Sequence, residues 1–281
     1  MRTIIVLILT VTSLTACGGN GAGSGGTEVA APVYPLAYAA EEIAGDAAEV
    51  ANLTPPGAEP HDVELSVRDV ETVRSADLVL LLGAEFQPAL ADAAAEADGE
   101  VLDLLESVEV IEGQEGVDPH AWLDPLRFAT MAERIGAALD REQAAARLAE
   151  RLRALDAELA RGLADCRRRE IVTSHAAFGY LAERYGLEQI AISGLAPEAE
   201  PAAGDLEELV EAVRRTGGTT VFVEPLVNPR LAETVAREAG VEVATLNPLE
   251  GLTEQELETG ADYFSVMREN LAALREVLEC R

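Results

Sequence analysis

Short apolar segments of strand length alternate with segments of helical period along most of this 281-residue chain, and this alternation constrains the fold more than any other feature. Such alternation is typical of α/β domains with parallel sheets. Strands are predicted at residues 28–33, 49–53, 78–82, 100–104, 170–173, 188–192, 220–223 and 242–246. The intervening helices are predicted at residues 34–45, 67–76, 86–97, 176–185, 205–216, 230–239 and 263–278.

The middle of the chain follows a different pattern. Residues 126–164 contain no proline and are rich in Ala, Leu, Arg and Glu. Leucines recur there every three or four residues, at Leu148, Leu152, Leu155, Leu159 and Leu163. This spacing predicts a long helix with a break near Asp140. We therefore predict two similar α/β lobes, residues 28–125 and 166–281, joined by a connecting helical segment at 126–165.

The charge of the chain restricts its partners. Its 51 acidic and 21 basic residues give a net charge of −30, and every basic residue is Arg. Nucleic-acid binding draws on dense basic clusters, and the one dense cluster is Arg167-Arg168-Arg169. We therefore expect no nucleic-acid partner, and a negative field of this kind attracts cations.

The N-terminus resembles an export signal. Met1-Arg2 is followed by an apolar run too short to span a membrane as a mature helix, so residues 1–16 are predicted to be a signal peptide. Leu-Thr-Ala-Cys at 14–17 resembles a bacterial lipobox, which predicts a lipid on Cys17 and a Gly-rich flexible tether at 17–27. The protein would be exported and lipid-anchored to the outer face of the cytoplasmic membrane. An ordinary signal peptide with an incidental cysteine is the alternative.

Export also bears on the other two cysteines, because the compartment outside the cytoplasm permits disulfides. Lipidation of Cys17 would leave Cys166 and Cys280, an even number that suggests one bridge. Two unpaired thiols are the alternative, since the sequence does not give the distance between their Cα atoms.

Three histidines are present, His61, His120 and His175, and each lies just past a turn or a strand end. Ligands of open α/β sheets bind at the carboxyl ends of strands, where His175 is expected. The spacing of the three matches no local zinc motif, and a hydrogen-bonded structural role is the alternative for each. Their scarcity and shared placement favour a common purpose.

The motifs around these histidines resemble the substrate-binding proteins of bacterial zinc/manganese ABC transporters. They are Pro-His-Asp at 60–62, Asp-Pro-His-Ala-Trp-Leu-Asp-Pro at 118–125, Thr-Ser-His-Ala-Ala-Phe-Gly-Tyr at 173–180, Phe-Val-Glu-Pro at 222–225 and Leu-Asn-Pro-Leu-Glu-Gly at 246–251. The resemblance implies two lobes joined by a rigid helix, with a metal ion in the cleft between them. It also implies that His61 and His120 from the first lobe and His175 from the second are ligands, and that a membrane permease is the partner.

The fourth ligand stays open. The family often has Asp where this chain has Asn247, so water, Asn247 or Glu224 would complete the site, and Glu224 could instead orient a ligand. Carboxylates expected to accept hydrogen bonds from the imidazoles are Asp62, Asp118 and Asp124, with helix capping as the alternative for Asp124. Manganese-preferring relatives carry Glu where His175 stands, so we expect Zn²⁺ rather than Mn²⁺.

The sequence thus predicts a monomeric, extracytoplasmic zinc receptor that delivers the ion to an ABC transporter permease and is not an enzyme. Two alternatives remain. A zinc metalloenzyme would also use three His and an open fourth position, with Glu224 as a general base. An adhesin-like surface lipoprotein would use the metal as a structural element, and chelation would then unfold it.

Overall fold

The computed structural model describes residues 26–83, 85–113, 116–196 and 205–281. The predicted signal peptide at 1–16, the lipidation site Cys17 and nearly all of the tether predicted at 17–27 lie outside the described residues. Thr27, the last residue of the predicted tether, is the first residue of a strand.

The N-terminal half is an α/β unit with a four-stranded parallel sheet. Its elements are β1 (Thr27–Ala31), α1 (Tyr34–Ala44), β2 (Ala48–Asn52), α2 (Val67–Ser75), β3 (Leu78–Leu81), α3 (Pro88–Ala94) and β4 (Glu100–Asp103). The strand order is β2-β1-β3-β4, and Val29 of β1 pairs with Val50 on one side and Leu78 on the other. The order of the strands therefore reverses between β1 and β3, since β2 lies on one side of β1 and β3 and β4 lie on the other.

The middle of the chain contains a hairpin and two helices. The hairpin consists of β5 (Glu112–Gly113) and β6 (Gly116–Val117), and the helices are α4 (Pro125–Ala138) and α5 (Glu142–Gly162). The expected break is confirmed, because Asp140 between the two helices has a φ of 54°. Helices α4 and α5 pack against each other, and α5 also contacts α1 of the first half and the last helix of the chain. The connecting segment is thus a helix pair, of which α5 leads into the second half.

The C-terminal half repeats the plan of the first. Its elements are β7 (Glu170–Thr173), α6 (Gly179–Tyr185), β8 (Glu188–Ala191), α7 (Asp205–Thr216), β9 (Thr220–Val223), α8 (Arg230–Ala239), β10 (Glu242–Thr245), α9 (Glu254–Glu258) and α10 (Tyr263–Val277). All four strands are parallel in the order β10-β9-β7-β8. In each half the order across the sheet is second, first, third and fourth strand, starting from β2 in the first sheet and from β8 in the second. The predicted α/β fold with two similar parallel sheets is therefore confirmed.

Among the described residues, buried side chains form three clusters, because strand side chains alternate between the two faces of each sheet. The largest includes Leu36 of α1, Leu155 of α5 and Leu274 of α10, so residues of both halves share one core. The smaller two lie on the opposite face of each sheet, under α2 and α3 in the first half and under α7 and α8 in the second. Each sheet therefore has helices on both faces, which leaves the carboxyl ends of the strands for a site.

Helix ends follow the signals in the sequence. Ser66 caps α2 and Asp262 caps α10, each in a reciprocal capping box. Helices α6 and α8 end at Gly186 and Gly240, whose φ values of 64° and 77° are left-handed, as the sequence predicted. The helix predicted at 176–185 begins with a 3₁₀ turn before α6.

A disulfide and ion pairs link the C-terminus to the start of the second half. A disulfide joins Cys166 and Cys280. In the neighbouring basic cluster, Arg167 and Arg168 pair with Glu279, and Arg169 donates hydrogen bonds to the carbonyls of Leu163 and Ala164. These arginines therefore bind parts of their own chain. Among the described residues, none of the helices combines the length and the apolar character needed to cross a membrane.

Candidate metal centre

His61 enters the site on the loop after β2. It lies in a 3₁₀ turn, Pro60–Asp62, and its backbone N–H donates to the carboxylate of Glu59 at 3.2 Å. Gln87 donates to the carbonyl of Pro60 at 3.0 Å, which ties this turn to the start of α3. The ring of Phe86 packs edge-on against the imidazole with 4.8 Å between ring centroids. These contacts hold His61 in one place although it lies on a loop.

His120 follows the hairpin and is fully buried. Asp118 accepts hydrogen bonds from both its backbone N–H, at 2.9 Å, and its ring Nδ1, at 2.7 Å. Tyr180 in turn donates to the backbone carbonyl of Asp118 at 2.8 Å. Because a carboxylate only accepts, Nδ1 carries a proton, and Nε2 of His120 points into the site, 2.8 Å from Oε1 of Glu250.

His175 is held in the same way from the second half. It lies two residues after β7, and its Nδ1 is 2.6 Å from the carboxylate of Glu224, the first residue after β9. Glu224 also accepts hydrogen bonds from the hydroxyl of Ser174 and from the backbone N–H of His175. The Nε2 atom of His175 is therefore directed toward the other histidines.

Glu250, on the loop after β10, completes the cluster. One of its oxygens, Oε1, lies 3.0 Å from Nε2 of His61, 2.8 Å from Nε2 of His120 and 3.5 Å from Nε2 of His175. The other oxygen, Oε2, is buried and has no hydrogen-bond partner among the described residues. One donor atom from each of the four residues lies within 4.8 Å of the others. Three imidazole nitrogens and one carboxylate oxygen at such distances are a donor set suited to tetrahedral Zn²⁺.

Charges around the cluster shift the pKa values of its members. Burial lowers the pKa of His120, but Asp118 and Glu250 outweigh burial and raise it to about 9. Burial also lowers the pKa of His175, and Glu250 and Glu224 raise it to about 10. For Glu250 burial raises the pKa, yet the nearby imidazoles hold it well below its ordinary value. In the metal-free protein, protons on His120 and His175 therefore neutralise the carboxylates around them.

The structure sorts the predicted site residues into different roles. It brings His61, His120 and His175 together, but Glu224 lies behind His175 and not in the cluster. The side chain of Asn247 also points elsewhere, because it accepts from the backbone N–H of Leu249 at 2.8 Å and donates to Glu256 at 2.9 Å.

Glu250 is not among the site residues predicted from the sequence. The available signal was its position in the Leu-Asn-Pro-Leu-Glu-Gly motif just after a predicted strand. Of the expected imidazole acceptors, Asp118 has this role, whereas Asp124 caps α4 through the backbone N–H of Leu126 at 2.8 Å.

Comparison with known proteins identifies a family and several relatives of this chain. The family model described as zinc-uptake complex component A, periplasmic, matches residues 29–277. The zinc-binding lipoprotein AdcA of Streptococcus pneumoniae serotype 4 is 36% identical over 309 aligned residues, which cover 99% of this chain and 62% of that protein. This chain thus spans less than two thirds of the length of that relative.

Solved structures share the fold over nearly the whole described chain. The Zn(II)-bound ZnuA-like domain of Streptococcus pneumoniae AdcA is 36% identical with a TM-score of 0.77, covering 91% of this chain and 100% of that one. The laminin-binding protein of Streptococcus agalactiae, described as a bifunctional protein with adhesin and metal-transporting activity, is 29% identical. Its TM-score is 0.82, and the match covers 90% of this chain and 100% of that one.

Proposed function

This chain belongs to the family of the periplasmic zinc-uptake complex component A, and we propose from this that it is a zinc receptor for an ABC transporter. The observation that carries the proposal is the cluster of His61, His120, His175 and Glu250, whose four donor atoms lie within 4.8 Å of one another. The zinc ion is the cargo of this site, and these four residues would hold it.

The cluster favours zinc over manganese. Imidazole nitrogen suits Zn²⁺, whereas Mn²⁺ is better matched by carboxylate, carbonyl and water oxygens. Three of the four donors here are imidazoles, and Asp118 and Glu224 hold two of those rings in the orientation that ligation needs. The donor set and its supports therefore both suit zinc.

The same cluster favours transport over catalysis. Catalytic zinc sites keep three protein ligands and bind a reactive water at the fourth position. Here Glu250 supplies a fourth protein donor and its side chain is fully buried. With four protein ligands, tetrahedral zinc has no position left for a nucleophilic water, so the site would bind and release the ion without a chemical step.

The surroundings of the site fit a receptor held at a membrane. The lipobox at Cys17 would anchor a monomer to the outer face of the cytoplasmic membrane, and the tether would let it reach a permease. Because the ligands come from loops of both lobes, a permease that parts the lobes would separate His61 and His120 from His175 and so release the ion. Replacing Cys17 with Ser should move the protein from the membrane fraction to the soluble exported fraction.

Native mass spectrometry tests zinc binding directly. Metal-stripped protein comprising residues 18–281 is titrated with an equimolar mixture of Zn²⁺ and Mn²⁺. We expect one zinc per chain in the wild type, none in His61→Ala, and a zinc affinity reduced by at least about a hundredfold in Glu250→Gln, since loss of a buried ligand costs several kcal/mol.

Glu258→Gln is the matched control, because it removes the same charge from an exposed position in α9. This variant should bind zinc like the wild type. If the wild type takes up no stoichiometric zinc, or if Glu250→Gln binds as tightly as Glu258→Gln, the proposed site is wrong.

A further inference from the structure

A small cavity of about 190 Å³ adjoins the metal cluster, and this inference about it rests on the proposed zinc function. Its lining comes from both halves of the chain: His61, Glu85, Phe86, Val117, Pro119, Leu195 and Ala196. Of the four proposed ligands, His61 alone reaches this cavity, with a side chain 10% exposed against 0% for the other three. An ion that arrives through this cavity therefore meets His61 first.

Glu85 is the acidic side chain on the same cavity wall. It is exposed, and no described residue forms an ion pair or hydrogen bond with its carboxylate. The rest of the lining, apart from His61, is apolar or proline. A divalent cation in the cavity would thus find one free carboxylate and one imidazole, which are both zinc ligands.

The backbone opposite makes room for this carboxylate. Gly116 of β6 has a φ of 108°, and a Cβ atom at this position would lie 2.6 Å from Oε2 of Glu85. A side chain on residue 116 would therefore displace the carboxylate from its place. The glycine leaves Glu85 against the hairpin beside the mouth of the cavity.

We propose that Glu85 is a capture residue, whose carboxylate holds incoming zinc at the mouth of the cavity and passes it to His61 before the buried ligands engage. Glu85 is not among the four residues of the cluster, so the proposal assigns it a role during the approach of the ion and none in the final complex. A charge that acts only during approach lowers the free-energy barrier both for zinc binding and for zinc release. Removal of this charge should then slow association by a larger factor than it changes the equilibrium affinity.

Stopped-flow fluorescence can follow this step without a label. The only tryptophan of the chain, Trp122, packs against His120 with 5.2 Å between ring centroids, so its emission should report zinc arrival. In Glu85→Gln we expect association of Zn²⁺ with the metal-stripped protein to slow by roughly threefold to tenfold. Its Kd, measured by chelator competition, should stay within about twofold of the wild-type value.

Two further variants separate this role from general electrostatics. Glu106→Gln removes the same charge from an exposed side chain that does not line this cavity, and should leave the association rate nearly unchanged. Glu85→Asp keeps the charge and should retain most of the rate. The association rate of the wild type should also fall more steeply with added salt than that of Glu85→Gln.

Three outcomes would overturn the proposal. Equal association rates for Glu85→Gln and Glu106→Gln would remove the capture role. A Kd weakened tenfold or more in Glu85→Gln with an unchanged association rate would make Glu85 a ligand of the final complex. A wild-type protein that binds no zinc would instead overturn the proposed function, and the capture role with it.

Discussion

Each buried imidazole of the site has a carboxylate on the far side of its ring. Asp118 supports His120 and Glu224 supports His175, both through Nδ1. This arrangement fixes the tautomer, directs Nε2 inward and raises the basicity of the ligating nitrogen. Asp118 and Glu224 belong to different halves of the chain, so each half contributes one histidine whose orientation is already fixed. Glu250 lies between them and supplies the oxygen donor.

The support from Glu224 can be measured separately from ligation. Glu224→Gln keeps the shape of the side chain but removes the charge that faces Nδ1 of His175. We expect zinc affinity to fall by about 10- to 100-fold, with one zinc still bound per chain. Chelator competition gives the affinity and native mass spectrometry the stoichiometry. A loss of affinity well above about 100-fold would mean that Glu224 is itself a ligand.

Zinc binding should release protons at neutral pH. In the metal-free protein the carboxylates raise the pKa of His120 to about 9 and that of His175 to about 10, so both rings are protonated at pH 7.5. Zinc requires neutral imidazole and must displace those protons. Affinity should therefore keep rising with pH through the range of these pKa values, well above the 6.5 or so of ordinary imidazole.

Calorimetry in buffers of different ionisation enthalpy counts the protons. We expect about two per zinc at pH 7.5 from these two rings. Asp118→Asn serves as the comparison, because it removes a carboxylate that raises the pKa of His120, and it should reduce the number released. Release of less than one proton by the wild type at pH 7.5 would contradict the raised pKa values.

At the scale of helices and strands, the sequence predicted nearly every element. The central strands of the two sheets, β1, β3, β7 and β9, are short, apolar and largely buried, and helices α6 and α8 end at left-handed glycines. The hairpin of β5 and β6 was not predicted, because each strand has two residues, which are too few to show the alternation of apolar and polar residues typical of a strand.

The site was harder to predict than the elements. Three scarce histidines after strand ends are visible in a sequence, but one glutamate among 51 acidic residues is not. Glu250 differs from the other buried carboxylates, Asp118, Asp124 and Glu224, because it lies close to all three histidines, and only the packing of the loop after β10 places it there.

The close contact of α4 and α5 depends on one glycine. A Cβ atom on Gly136 would overlap the Cβ of Ala145 on the facing helix. Gly136→Ala should therefore lower the free energy of unfolding by about 1–3 kcal/mol, as overpacking usually does. Urea denaturation of the metal-free protein measures this change. Gly162→Ala is the matched control and should cost less, since the obstacle there is the flexible end of Leu271.

A double-variant cycle makes the Gly136 prediction sharper. Ala145→Gly alone should cost about 1 kcal/mol, because glycine is a poor helix former. Combined with Gly136→Ala it should recover part of the loss, since it removes the overlapping atom. Additive losses in the double variant would show that the two positions do not meet.

At the scale of the whole molecule, the two halves share a core, and the metal site adjoins it through Phe86 and Trp122, which pack against His61 and His120. Leu36, Leu155 and Leu274 belong to one apolar cluster that spans both halves. The disulfide adds a covalent link between Cys166 and Cys280, 114 residues apart in sequence. The fold therefore has its own sources of stability, while the site can exchange two protons for one divalent ion without a change in net charge.

Chelation should therefore leave the protein folded. Removing zinc with EDTA at 25 °C should preserve the far-UV circular dichroism spectrum, because protonated His120 and His175 keep their ion pairs with Asp118, Glu224 and Glu250. Adding zinc at a free concentration 1,000 times Kd should stabilise the native state by about 4 kcal/mol and raise Tm. In His175→Ala this rise should shrink strongly, since a ligand is lost. Unfolding on chelation would instead identify zinc as a structural element, the behaviour expected of a surface protein that keeps its metal rather than of a receptor that gives it up.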